Sequence, residues 1–196
     1  MRMKIGLLGG TFDPVHLGHL TLARNAQVQF SLDKVLFIPA YDPPHKREVP
    51  PVASAEDRFA MVRLAVKDEP FFEISDVEVQ RKGPSYTCDT IAELEKRYPQ
   101  AVFCLILGID SLQGFEAWHR AAEIKRKVRF LVAQRGTAGG AGLAGASVEW
   151  IRMPLCPIAA SAIRESFAAG GGPGDQVPLA VSEFIRSRHL YRKKNP

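Results

Sequence analysis

Short apolar, β-branched-rich runs alternate along this chain with stretches of helical period, and that alternation limits the fold more than any other feature. The runs occupy residues 4–8, 34–39, 71–79, 102–107 and 128–133, with a sixth candidate at 148–151. Each has the length and composition of a strand. Between them, residues 16–31, 54–67 and 87–97 repeat apolar positions at helical spacing, as in Phe59, Val62 and Val66 or Ile91, Leu94 and Tyr98. Strand followed by helix, repeated, specifies an α/β fold with a parallel sheet covered on both faces. Residues 158–169 and 178–189 add two C-terminal helices, the second opened by Pro178. A chain of 196 residues, 46% hydrophobic, suffices for one buried core. A single domain is expected over residues 1–196, its core at about 3–191.

Two segments are too poor in bulky side chains to pack, residues 136–147 and 168–174, and both read as flexible surface loops. No apolar run approaches the roughly 20 residues of a membrane span. The N-terminus reaches a glycine turn before any secretory apolar region forms, so a cytoplasmic protein is expected. Cys88, Cys104 and Cys156 lie far apart and suggest core residues rather than a disulfide framework or metal site. The net charge of +5 is densest at Arg186, Arg188, Arg192, Lys193 and Lys194. A frayed, solvated tail at about residues 192–196 explains that cluster, and no nucleic-acid motif accompanies it. Neither nucleic acid nor membrane is an expected partner.

The strongest local signal is the segment KIGLLGGTFDPVHLGHL, in which a strand ends at Gly9-Gly10, turns through Thr11-Phe12 and enters a helix near Asp13-Pro14. Glycines without Cβ let a phosphate approach the backbone, and a helix start offers unpaired N–H groups to it. The spacing matches neither GxGxxG nor the P-loop. His16 and His19 are three apart and share one side of a helix beside that turn. Two imidazoles so placed can donate to one phosphate. They can also be structural histidines satisfied by carbonyls, or the start of a metal site that lacks further ligands.

The segment GGTFDPVHLGH resembles the HxGH motif of the nucleotidyltransferase α/β phosphodiesterase superfamily. That resemblance implies a Rossmann-like doubly wound sheet and nucleotidyl transfer from a nucleoside triphosphate. His16 and His19 would contact the triphosphate and stabilise the transition state, while Gly9, Gly10, Thr11 and Phe12 would hold ATP. IAASAIRESF is similar to the superfamily's ISSTxIR motif, with Arg164 as its arginine. Ser161 can start or cap a helix from which Arg164 projects. Ala159 and Ala160 replace two serines of the pattern, so β- and γ-phosphate contacts are expected from Ser161, Arg164 and helix amides.

Four further segments, PPHK at 43–46, SYTCDT at 85–90, GIDSLQGFEAWH at 108–119 and Leu190-Tyr191, resemble bacterial nicotinate-nucleotide adenylyltransferases. The likeness covers residues 3 to about 191 and implies ATP and nicotinate mononucleotide as substrates. Trp118 offers a stacking face for a pyridine ring, and N–H groups near Thr87 and His119 could receive its carboxylate. Asp110, following a strand end at Gly108, stands where α/β sheets bind ligands. Lys46 is expected on a phosphate and Arg135 near ATP. Arg58 is expected to start a helix and pair with a nearby acid. Mg²⁺ would accompany the triphosphate with waters rather than a carboxylate cage, so no protein metal ligands are expected. Two rivals remain at this level: a pantetheine-phosphate adenylyltransferase of the same superfamily, and a nucleotide-binding sensor without catalysis.

Overall fold

A computed structural model describes residues 2–44, 49–133, 143–154 and 156–192. Its six strands are β1 (Lys4–Gly10), β2 (Lys34–Pro39), β3 (Phe72–Ile74), β4 (Val102–Gly108), β5 (Val128–Ala133) and β6 (Val148–Ile151). All neighbours pair in parallel, in the order β3-β2-β1-β4-β5-β6. The central strands β1, β2 and β4 read as nearly continuous apolar runs because both of their faces are covered.

One face packs against α1 (Leu17–Phe30), α2 (Ala55–Val66), α7 (Ala160–Ala168) and α8 (Leu179–Ser187), with Leu20, Val35, Phe37, Met61, Ile106 and Ile185 in one buried cluster. The other face packs against α3 (Val77–Arg81), α4 (Thr87–Arg97), α5 (Ile109–Gln113) and α6 (Ala121–Lys127), around Ile5, Leu7, Ile91, Leu105, Phe115 and Phe130. Gly6 lies between the layers, where a Cβ would meet the Ile106 and Leu32 side chains at 2.8 and 2.9 Å. Cys88 and Cys104 are buried and Cys156 is half-buried.

Two expectations are corrected here. The run 71–79 does not continue as a strand: β3 ends at Ile74, the Ser75 amide donates to the Phe37 carbonyl at 2.8 Å, and the chain turns into α3. That turn buries Val77 and Glu78 side by side, which a strand's alternation would forbid. The first helix begins at Leu17, not near Asp13-Pro14, whose peptide bond is cis. The Asp13 carboxylate instead accepts the amides of Val52 at 2.8 Å and Ala53 at 3.1 Å and the Tyr191 hydroxyl at 2.8 Å.

The glycine-rich stretch after α7 is tied down, since the Ser166 hydroxyl donates to the Gly172 carbonyl at 2.7 Å. Residues 136–142 of the other glycine-rich segment, and Lys193 to Pro196 of the basic tail, lie outside the described residues. Among the described residues no helix is long and apolar enough to cross a membrane.

Candidate active site

In a doubly wound sheet the crossovers from β1 go to β2 on one side, while β4 begins the other half, so a crevice opens between the C-terminal ends of β1 and β4. Gly9 and Gly108 stand at those ends, and among the described residues beyond its chain neighbours a Cβ on either would meet no atom within 4 Å. Neither glycine is demanded by packing. Both border a cavity of about 300 Å³, which His16, Gly18, His19 and Ile158 also line. A second cavity, of about 280 Å³, shares Gly9, Leu107 and Ser111 with the first and continues past Gly10 and Thr11 to Thr87 and Trp118.

His16 is the residue that precedes α1, in extended conformation, and its amide donates to Nδ1 of His19 at 3.2 Å. A nitrogen that accepts carries no proton, so the hydrogen of a neutral His19 resides on Nε2. The two rings stack at 3.8 Å, and Phe12 meets His19 edge-on at 5.0 Å. Burial lowers the His16 pKa to about 4, so its ring is neutral at physiological pH. Its Nδ1 is buried, and among the described residues it has no hydrogen-bond partner. Gly18 makes room for this ring, because a Cβ there would lie 3.0 Å from that same nitrogen.

The turn is braced from beneath. Phe12, at φ 51°, packs its ring in the core. Arg58, 1% exposed, donates to the carbonyls of Thr11, Ala40, Tyr41 and Ala53 at 2.6 to 3.2 Å. Four carbonyls thus stand in place of the expected acid, because the loops closing over α2 turn their backbone oxygens inward. Arg164 donates to the Asp13 carbonyl at 2.7 Å and so reaches the same turn from α7.

On the other side, Thr87 is the first residue of α4, and Tyr86 packs its ring against His119 at 4.3 Å. Trp118 is half-buried beside Phe115, with ring centroids 5.2 Å apart. A third cavity, of about 340 Å³, joins Tyr86, Thr87, Trp118 and His119.

The sequence pattern of the cytidylyltransferase-like family matches residues 7–166. A relative from Exiguobacterium sibiricum, named a probable nicotinate-nucleotide adenylyltransferase, is 41% identical over 96% of this chain and 99% of its own length. Another of the same name, from a Synechococcus strain, is 40% identical over 96% of this chain and 94% of its own. This chain belongs to the nicotinate-nucleotide adenylyltransferases. The fold agrees with a solved structure of the Plasmodium falciparum nicotinic acid mononucleotide adenylyltransferase complexed with NaAD, at TM-score 0.81 and 16% identity over 97% of this chain and 98% of that one.

Within this adenylyltransferase fold, Gly9, Gly10, Thr11, His16, His19, Gly108, Thr87, Trp118 and His119 are brought around connected cavities. Asp110 is exposed in the first turn of α5, next to the lining residues Ile109 and Ser111. Ser161 is exposed and does not cap α7: the residue preceding that helix is Ala159, with no side-chain cap. Lys46 and Arg135 lie outside the described residues. Sequence reasoning missed Glu78, Ser85, Thr90 and Ser111, all of which line the second cavity. Ser85 and Thr90 are the ends of the SYTCDT motif; Glu78 gives no signal, because its segment reads as strand.

Proposed function

We propose that this chain transfers the AMP part of ATP to the phosphate of nicotinate mononucleotide, forming nicotinate adenine dinucleotide and pyrophosphate. The single observation that carries the reading is the pair of cavities meeting at Gly9, Leu107 and Ser111, one holding the histidine pair and the other Trp118 and Thr87. Two reactants held on either side of that junction have their reacting ends together.

The acceptor phosphate is an anion at neutral pH, so attack on the α-phosphorus needs no strong base. Positioning and charge stabilisation carry the chemistry. His19, with its hydrogen on Nε2, donates to the triphosphate oxygens, and the buried His16 nitrogen gains the partner it lacks. Gly9, Gly10, Thr11 and the backbone of Phe12 admit the nucleotide. Lys46, Arg164, Ser161 and Arg135 are assigned to phosphates, and Asp110 and Gly108 to a ribose. Trp118 stacks on the pyridine ring, and amides at Thr87 and His119 receive its carboxylate. A divalent cation, Mg²⁺ in this reading, enters with the triphosphate as substrate. In this reading the cation is ligated by phosphate and water rather than by a carboxylate cage.

The test is pyrophosphate release with ATP and Mg²⁺, with nicotinate mononucleotide, nicotinamide mononucleotide or phosphopantetheine as acceptor. Preference for the first is expected. Activity with phosphopantetheine alone would overturn the acceptor, and silence with all three would overturn catalysis.

A further inference from the structure

Glu78 carries a carboxyl that the reaction above leaves without a task. It is 7% exposed, on α3, and among the described residues it is the only ionisable side chain lining the second cavity, which runs from Gly9 to Thr87 and Trp118. A buried carboxyl beside a site for an anionic acceptor is costly, so its partners identify what it does.

One hydroxyl holds it. Thr90 Oγ1 donates to Glu78 Oε1 at 2.6 Å, with the Tyr86 carbonyl a longer alternative at 3.2 Å. Its proton is committed by what the oxygen accepts, since Thr90 Oγ1 takes Arg81 Nη2 at 3.2 Å. A hydroxyl has one hydrogen, and with its accepting side occupied that hydrogen goes to the acid. Nearby, Ser85 Oγ takes the amides of Tyr41 at 2.9 Å and Asp42 at 3.3 Å.

Ser85 and Thr90 are the first and last residues of the segment SYTCDT. Glu78 grips the segment at Thr90, while its other end, Ser85, is tied to the amides of Tyr41 and Asp42. Tyr86 and Thr87, the residues that border the acceptor cavities, lie between these two anchors. Burial pushes the carboxyl above its ordinary range, and the Ser85 and Thr90 hydroxyls, with the charge of Arg81, pull it back; Glu93, on α4 and paired to Arg81 at 3.0 Å, opposes them.

We propose that Glu78 is a positioning residue of the acceptor site, which by holding Thr90 sets Thr87 where the acceptor's ring end must bind. The inference rests on the acceptor reading of this cavity. It makes a directional claim: the ATP side, built on β1, α1 and α7, does not depend on Glu78.

KM for each substrate and kcat separate the possibilities, measured on the full chain and on Glu78→Gln, Thr90→Val and Thr90→Ser. Glutamine offers Thr90 a neutral acceptor in place of a charged one; valine removes the grip; serine keeps it. Glu78→Gln and Thr90→Val should raise KM for nicotinate mononucleotide about tenfold or more, the size of losing a hydrogen bond to a charged group. KM for ATP and kcat should stay within about twofold, and Thr90→Ser should behave as the parent. Unchanged acceptor KM in both variants would overturn the proposal. So would parallel loss of both KM values and kcat with the melting temperature, which marks general destabilisation. Should Glu78→Gln fail to fold, the contrast of Thr90→Val with Thr90→Ser tests the same grip. If the parent chain itself does not use nicotinate mononucleotide, the acceptor reading falls and takes this inference with it.

Discussion

At the scale of single residues, the histidine pair shows how position divides labour between identical side chains. His16 is buried and neutral, while His19, half-buried, accepts an amide that leaves its proton on Nε2. His19→Ala should lower turnover by about 10² to 10³, the usual size for losing one donor to a developing anion; steady-state kinetics at saturating substrates check this. His16 leaves a different signature, in stability. Its folded pKa of about 4 lies below the ordinary 6.5, so between those values the unfolded chain binds a proton that the folded chain refuses. Stability contributed by neutral His16 is therefore full above pH 6.5 and is lost as pH falls towards 4, by up to about 3 kcal/mol. Denaturant unfolding across that window should show the loss, and His16→Gln should flatten it.

At the scale of elements, the junction of β1 with α1 is braced by a buried cation as well as by the His16–His19 contact at the helix start. Arg58 projects from α2 and collects four carbonyls from three separate loops, including Thr11 of the turn. Burial lowers its pKa, and the charge of Asp13 is the largest effect opposing that shift. Arg58→Met would keep the volume and orphan the carbonyls. The expected cost is about 3 kcal/mol or more, measured by urea unfolding. A shift no larger than that of an exposed arginine would show that water replaces the guanidinium freely.

At the scale of the whole molecule, the C-terminus closes on the start of the chain. Tyr191, 7% exposed, donates to Asp13 across 178 residues of sequence, and burial together with the Asp13 charge holds its hydroxyl protonated far above the ordinary range. The site turn thus depends on α8 being docked against α2, where Val181 and Ile185 are fully buried. Tyr191→Phe should cost about 1–3 kcal/mol. That corresponds to a melting temperature lower by roughly 2–4 °C for each kcal/mol in a chain of this size. Thermal unfolding decides it, and an unchanged midpoint would mean that the amides of Val52 and Ala53 suffice for Asp13.

What the sequence determined by itself is what depends on local period and short spacing. Five of the six strands and the helices α1, α2, α4, α7 and α8 were legible because an apolar face must repeat to be buried, whichever neighbour covers it. The glycine turn and its histidine pair were legible because two glycines at the end of an apolar run and two histidines three positions apart are local spacings. Helices α3, α5 and α6 were not, since five to seven residues are too few to display a period, and the alternation of residues 71–79 imitates a strand. Only the tertiary structure decided which polar groups would meet across long separations. Arg58 reaches Thr11 over 47 residues and Arg164 reaches Asp13 over 151. Glu78 meets Thr90 only because the chain leaves β3 as a helix. A buried polar group must find its partner wherever folding brings one, and no spacing along the chain records that choice.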